Sequence, residues 1–314
     1  MEHLDSLTKA RPDRPTCLTI GAFDGVHRGH QRVISRLVET ARRKGNRAAV
    51  LTFYPLPRQV IGRPKPDFYL TTPDDRAAIL HELGVDLVIT HPFDEQVRAI
   101  RAADFIDTMV AHLDLKEIWV GEDFALGYQR EGNVPFLRAQ GDLKGFEVRD
   151  VDFFVLEGNI VSSSLTRQAI RDGRVEEAQR YLGRPFRLSG RVVRGDGRGR
   201  KIGYPTANLR IWDEQVCPAR GVYAAFAQVD RTSYQAAVNI GLRPTLTAGT
   251  HRVVEVHLLD FEGDLYGQDL LLDFVVRLRD EIKFSSLERL IVQLQMDIAE
   301  TRELLQLGAF PGIK

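Results

Sequence analysis

At 314 residues the chain exceeds what one hydrophobic core usually holds, so two domains are expected. Hydrophobic residues at 43% and charged residues at 27% exclude a disordered chain, and 43 Lys+Arg against 43 Asp+Glu exclude a global pull toward nucleic acid or membrane. Cys17 and Cys217 are too few and too far apart for a disulfide framework or a structural zinc.

Met1 to Pro15 lacks the apolar run of a secretory signal, and no stretch approaches the roughly 20 apolar residues of a membrane span, so a cytoplasmic location is expected. Thr16 to Gly21 then reads as a buried strand, and Val33, Leu37, Val38 and Ala41 follow at helical spacing. Ala48 to Phe53, Asp86 to Thr90 and Glu117 to Gly121 read as further strands. Arg76 to Leu83 and Phe105 to Leu113 read as the helices between them. This alternation predicts a Rossmann-like α/β domain with a mostly parallel sheet, whose ligands bind at the carboxyl ends of the strands. Ser162 to Leu182 reads as helix in two pieces, broken at Asp172-Gly173 and stopped at Leu182-Gly183-Arg184-Pro185. The domain boundary is placed there, giving 1–184 and 185–314.

Beyond it the rhythm becomes that of strands. Leu188 to Val193, Gly221 to Val229, Tyr234 to Ile240, Val253 to Asp260 and Asp269 to Leu278 predict a small antiparallel β-barrel. A terminal helix closes it, with Ser285 and Glu288 at capping-box spacing and Leu287, Leu290, Ile291, Leu294 and Ile298 as its apolar stripe.

Two segments carry chemistry. Gly21-Ala-Phe23-Asp24-Gly25-Val-His27-Arg-Gly29-His30 leaves a strand and starts a helix, where glycines admit a close ligand and unpaired N–H groups favour an anion. His27 and His30 can donate to phosphate oxygens there. The second segment runs from Gly190 to Asn208 and holds Gly195, Gly197, Gly199, Arg200, Lys201, Gly203 and Pro205. Its glycines let backbone amides wrap an anion, and Thr206 and Asn208 offer two neutral oxygens suited to partial Mg²⁺ coordination. Neither segment is specific by itself, since turn glycines and a solvated hairpin would look alike.

The full strings are specific. The first resembles the nucleotidyltransferase motif G-x-F-D-G-x-H-x-G-H of bacterial bifunctional riboflavin kinase/FAD synthetases. Phe53-Tyr-Pro55-Leu-Pro57, Val120 to Gly127 and Ser162-Ser163-Ser164-Leu-Thr-Arg167 resemble that family's later motifs, with Ala22, Leu126 and Thr166 as departures. Gly195 to Asn208 resembles its flavokinase motif, followed by Asn239-Ile-Gly241 and Glu255-Val-His257-Leu258. The resemblance implies ATP-dependent phosphorylation of riboflavin to FMN by residues 185–314. It further implies adenylylation of FMN to FAD, with pyrophosphate release, by residues 1–184. It makes Glu255 the kinase base, places Arg167 on the outer phosphates of ATP, Asp123 near the nucleotide, and Arg279 and Glu281 near the flavin. Mg²⁺ with ATP is the implied cofactor set. The implied partners are ATP, riboflavin, FMN and FAD, with no nucleic acid and no membrane; a homo-oligomer is left open.

Overall fold

The computed structural model describes residues 1–307 apart from 153, 196, 198, 200, 201, 231 and 245–249. Two compact units divide it: Met1–Lys65 with Thr71–Ser162, and Pro66–Leu70 with Ser163–Lys314.

The first unit is built on six strands, β1 (Glu2–Leu4), β2 (Thr16–Ile20), β3 (Arg47–Tyr54), β4 (Leu87–Pro92), β5 (Leu115–Gly121) and β6 (Glu147–Val151). All pair in parallel, in the order β1-β4-β3-β2-β5-β6. The helices between them are α1 (Arg28–Lys44), α2 (Pro73–Glu82), α3 (Ala102–Leu113) and α4 (Val134–Lys144). Every residue of β2 is buried because helices cover both sheet faces. Cys17, Val50 and Val88 meet Ile34, Leu37 and Ala41 of α1 and Leu80 of α2. Leu18, Leu51 and Ile89 meet Ile106, Met109 and Leu113 of α3. Each such side chain contributes on the order of 1.5–3 kcal/mol. From β2 the chain moves outward to β3 and β4, then crosses back to β5 on the other side of β2. That reversal opens a crevice at the carboxyl ends of β2 and β5, the position where open α/β sheets hold ligands.

In the second unit α5 (Ser163–Arg171) and α6 (Val175–Leu182) meet at the expected break. Gly173 there has φ +77, and a Cβ on it would come within 2.9 Å of Tyr223 Oη. Gly183, at φ 71, ends α6 by donating its N–H to Gln179 O at 2.7 Å. The barrel follows as β7 (Phe186–Val193), β8 (Ala207–Ile211), β9 (Gly221–Val229), β10 (Thr232–Pro244), β11 (Thr250–Leu258) and β12 (Asp269–Arg279). It closes in the order β7-β8-β11-β10-β9-β12, with every pairing antiparallel. Leu188, Leu209, Val238, Val254, Val256 and Phe274 are buried along it.

The terminal helix α7 (Leu287–Leu307) lays Leu305 against Ala224 and Val275. Two expectations are corrected at its start. Ser286, not Ser285, caps it, its Oγ accepting the Arg289 N–H at 3.4 Å. Leu287 is 52% exposed rather than part of the inward stripe, because the first turn overhangs solvent, whereas Asp297, Thr301 and Leu305 are buried.

Candidate functional site

The loop leaving β2 is held in a strained path. Phe23 and Val26 occupy the left-handed region at φ 45 and 41, on either side of Asp24 and of Gly25 at φ 77. For a β-branched valine this conformation is costly, on the order of 1–3 kcal/mol, and persists only where the surroundings impose it. A Cβ on Gly21 would lie 3.1 Å from the Phe23 ring, and one on Gly29 would lie 3.1 Å from the His27 ring, so both glycines make room for aromatic side chains. His27 caps α1 through Nδ1, which accepts the His30 N–H at 3.4 Å. A neutral His27 therefore carries its proton on Nε2, as a donor. The two imidazoles stack at 3.6 Å between centroids, with the Phe23 ring edge-on to His30 at 5.0 Å. His30 Nδ1 is buried without a protein hydrogen bond. Burial first, then the charges of His27 and Arg76, hold His30 well below the ordinary histidine value. It is neutral at pH 7.

Arg76 on α2 is the residue the sequence did not single out. Its side chain is fully buried, and Nη1 donates to Thr52 Oγ1 at 2.9 Å and to Phe53 O at 3.3 Å. Nη2 lies 3.9 Å from Asp24, whose Oδ1 accepts the Thr71 N–H at 3.3 Å. Thr71 Oγ1 in turn accepts the Gly25 N–H at 3.3 Å. A charge taken this far from water is tolerated only when paired. Asp24 thus braces the loop from below, and Arg76 adds fixed positive potential beside the histidines. At the end of β5, Asp123 is exposed, and its carbonyl accepts from Arg130 Nη2 at 2.8 Å.

Ser163 and Ser164 open α5, and Arg167 lies on it, 7% exposed. Its Nε donates to Phe68 O at 2.5 Å and its guanidinium sits 4.3 Å from the Phe68 ring centroid. These residues belong to the second compact unit.

On the barrel, Gly195 and Gly199 lie against the residues proposed to hold metal. A Cβ on Gly195 would fall 2.2 Å from Asn208 Nδ2, and one on Gly199 would fall 2.2 Å from Tyr204 O and 3.4 Å from Thr206 Oγ1. Gly197 and Gly203 take φ +65 and +87. Arg200 lies outside the described residues. Pro205 is fixed by His257, whose Nδ1 lies 2.8 Å from Pro205 O while its ring meets Tyr204 edge-on. That role for His257 is another the sequence alone did not show. Glu255 is directly opposite Asn208 in the ladder. Its neighbours Val254 and Val256 are buried, so Glu255 faces outward on the side of Asn208.

Arg279 and Glu281 follow β12. Arg279 grips Asp297 of α7 with two hydrogen bonds of 2.8 and 2.6 Å, and Asp297 is 2% exposed. Its guanidinium therefore fastens the terminal helix. Glu281 Oε1 lies 2.5 Å from where a Cβ on Gly241 would be. Nearby, a groove of about 560 Å³ is lined by Ile282, Phe284, Arg289 and Val292.

A parallel sheet with stacked histidines on the loop after β2, and a closed barrel with loop glycines against Asn208, suit an enzyme of nucleotide-dependent group transfer. The FAD synthetase family model matches residues 9–165 and the riboflavin kinase model matches residues 182–305. A bifunctional riboflavin kinase/FMN adenylyltransferase of Pseudomonas fluorescens is 39% identical over 97% of this chain and 98% of its own length. The protein of the same description from Escherichia coli K12 is 39% identical, over 94% and 95%. A solved structure described as a macrolide-efflux protein from Streptococcus pneumoniae aligns with a TM-score of 0.88 at 32% identity, covering 96% of this chain and 98% of that one. Among the described residues no helix is long and apolar enough to cross a membrane. The chain belongs to the bifunctional riboflavin kinase/FMN adenylyltransferase family.

Proposed function

We propose that this chain makes FAD from riboflavin in two ATP-consuming steps in the cytoplasm, residues 185–314 forming FMN and residues 1–184 adenylylating it. The observation that carries the kinase half is the ladder pair Asn208 and Glu255, with the Gly195 loop closed over Asn208. Glu255 takes the proton from the riboflavin 5′-hydroxyl. The freed oxygen bonds to the γ-phosphorus as the bond to the ADP oxygen breaks. Backbone amides of the glycine loop hold the phosphates. Thr206 and Asn208 fit a magnesium ion, since they present neutral oxygens beneath a loop too close for any Cβ at Gly195. Bound there, Mg²⁺ would neutralise phosphate charge. Glu281 and the groove beside Phe284 fit the flavin ring, within the size range of small-molecule sites.

In the adenylylation half an oxygen of the FMN phosphate attacks the α-phosphorus of ATP and pyrophosphate leaves. His27 donates from Nε2 and His30 from its ring N–H to the charge that develops, and Arg76 strengthens that field. Asp123, Ser163 and Ser164 are assigned to the nucleotide and Arg167 to the outer phosphates on the resemblance of their motifs.

The test is flavin chromatography on the full chain with Mg-ATP. Riboflavin should give FMN first and FAD later. Glu255→Gln should stop FMN formation while still converting supplied FMN to FAD, and His27→Ala should do the reverse. A single variant that abolishes both reactions while the protein stays folded would contradict separate sites.

A further inference from the structure

Asn208, Glu255 and Asn239 stand side by side on β8, β11 and β10, each directly opposite the next in the antiparallel ladder. Directly opposed residues share one face, with Cβ atoms about 4.5–5.5 Å apart. Val238 and Ile240 are buried in the barrel, so Asn239 faces outward beside Glu255. Its Nδ2 lies 3.7 Å from the point a Cβ on Gly241 would occupy, and Glu281 Oε1 lies 2.5 Å from that same point. The Asn239 amide therefore has the Glu255 carboxylate across the ladder, and the Glu281 carboxylate, from the segment after β12, beside Gly241 two residues along its own strand. A side-chain amide there offers two N–H donors to carboxylates and one carbonyl to a hydroxyl.

We infer that Asn239 is a positioning residue for phosphoryl transfer: its amide fixes the Glu255 carboxylate toward the hydroxyl to be deprotonated and keeps it apart from Glu281. The inference rests on Glu255 being the base. Arg210 and His257 share this outer face, the latter bound to Pro205 O.

The experiment compares Asn239→Ala, Asn239→Asp and Glu255→Gln in the full chain, recording kinase kcat and KM for riboflavin. A urea-unfolding midpoint of the barrel unit close to that of the wild type reports that each variant is folded. Asn239→Ala should lower kcat about tenfold or more, with KM moving less than about threefold. Asn239→Asp keeps the shape but replaces the N–H donors with a second carboxylate opposite Glu255, so its kcat should fall at least as far as that of Asn239→Ala, again with little change in KM. Wild-type kcat in Asn239→Ala or in Asn239→Asp, or a loss that falls on KM instead of kcat, overturns the inference. If Glu255→Gln is inactive in that case, only the role of Asn239 is lost; if Glu255→Gln is active, the assignment of the base fails with it.

Discussion

Replacing Gly195 by alanine adds one methyl group and no charge, yet it should disable the kinase. The new Cβ would sit 2.2 Å from Asn208 Nδ2, 2.5 Å from Cγ and 2.8 Å from Oδ1. Non-bonded heavy atoms rest about 3.5 Å apart, so roughly 1 Å of movement is needed. The backbone of Asn208 cannot supply it, because β8 is held in register between Val193 of β7 and Glu255 of β11. The amide must swing, or the loop must lift from it. A displacement of about 1 Å at a reacting centre costs about a hundredfold in rate, which is about 2.7 kcal/mol of barrier. Gly267→Ala is the contrast: it has a φ of +76, which Gly195 does not, and nothing within 4 Å of its Cβ, so it carries a backbone cost without a contact. It should pay only the backbone cost of about 1–2 kcal/mol in stability. Riboflavin turnover would be read by flavin chromatography, with FMN turnover on the same sample as the internal standard. Gly195→Ala should lose about a hundredfold of kinase kcat/KM and keep FMN adenylylation, whereas Gly267→Ala should keep both. Kinase activity in Gly195→Ala at the Gly267→Ala level would refute the claim that loop contact with Asn208 sets the site.

Two further outcomes follow from charges in the fold. Arg279→Met strands the buried Asp297 carboxylate without its paired donor, and should lower the stability of the barrel unit by about 3 kcal/mol in urea unfolding; a change below about 1 kcal/mol would show the pair to be dispensable. His30 is held below its unfolded pKa, so the unfolded chain takes up a proton the native chain lacks as the pH drops below about 6.5. Stability therefore declines with acidification there, by at most about 1.4 kcal/mol per pH unit from this residue, and His30→Phe should flatten that slope. Equal slopes would mean that His30 titrates normally in the folded protein.

The elements legible in the sequence are those whose burial is written in their own residues. Thr16-Cys-Leu-Thr-Ile20 is apolar enough to be a covered strand, and α1 and α3 show their inward faces by spacing. The strands that escaped are edges or ends. β1 and β6 flank the sheet and carry Glu2, His3, Glu147, Arg149 and Asp150, since an edge strand with one exposed side needs little apolar content. β8 buries only Leu209 among its five residues, so its alternation is too short to register before the barrel around it is known. Its sequence, Ala-Asn-Leu-Arg-Ile, looked like the tail of a loop motif. It is instead the strand that turns Asn208 toward Glu255.

The candidate sites divide by the same logic. His27, His30, Gly195, Gly199, Thr206 and Asn208 lie within short strings, and a string keeps its spacing whatever the fold does. Arg76 and Asn239 acquire their neighbours only through tertiary register: α1 and β3 separate Asp24 from Arg76 along the chain, and Glu255 meets Asn239 only once β10 and β11 are paired. Arg76 is harder still, because an arginine after Pro73-Asp-Asp in a first helical turn is ordinarily a solvated charge. What turns it inward is Asp24 at the carboxyl end of β2, a carboxylate too deeply buried to stand without a counter-charge. Sequence strings thus locate the groups assigned here to phosphate, whereas the groups proposed to aim them become visible only when strand pairing fixes which side chains face each other.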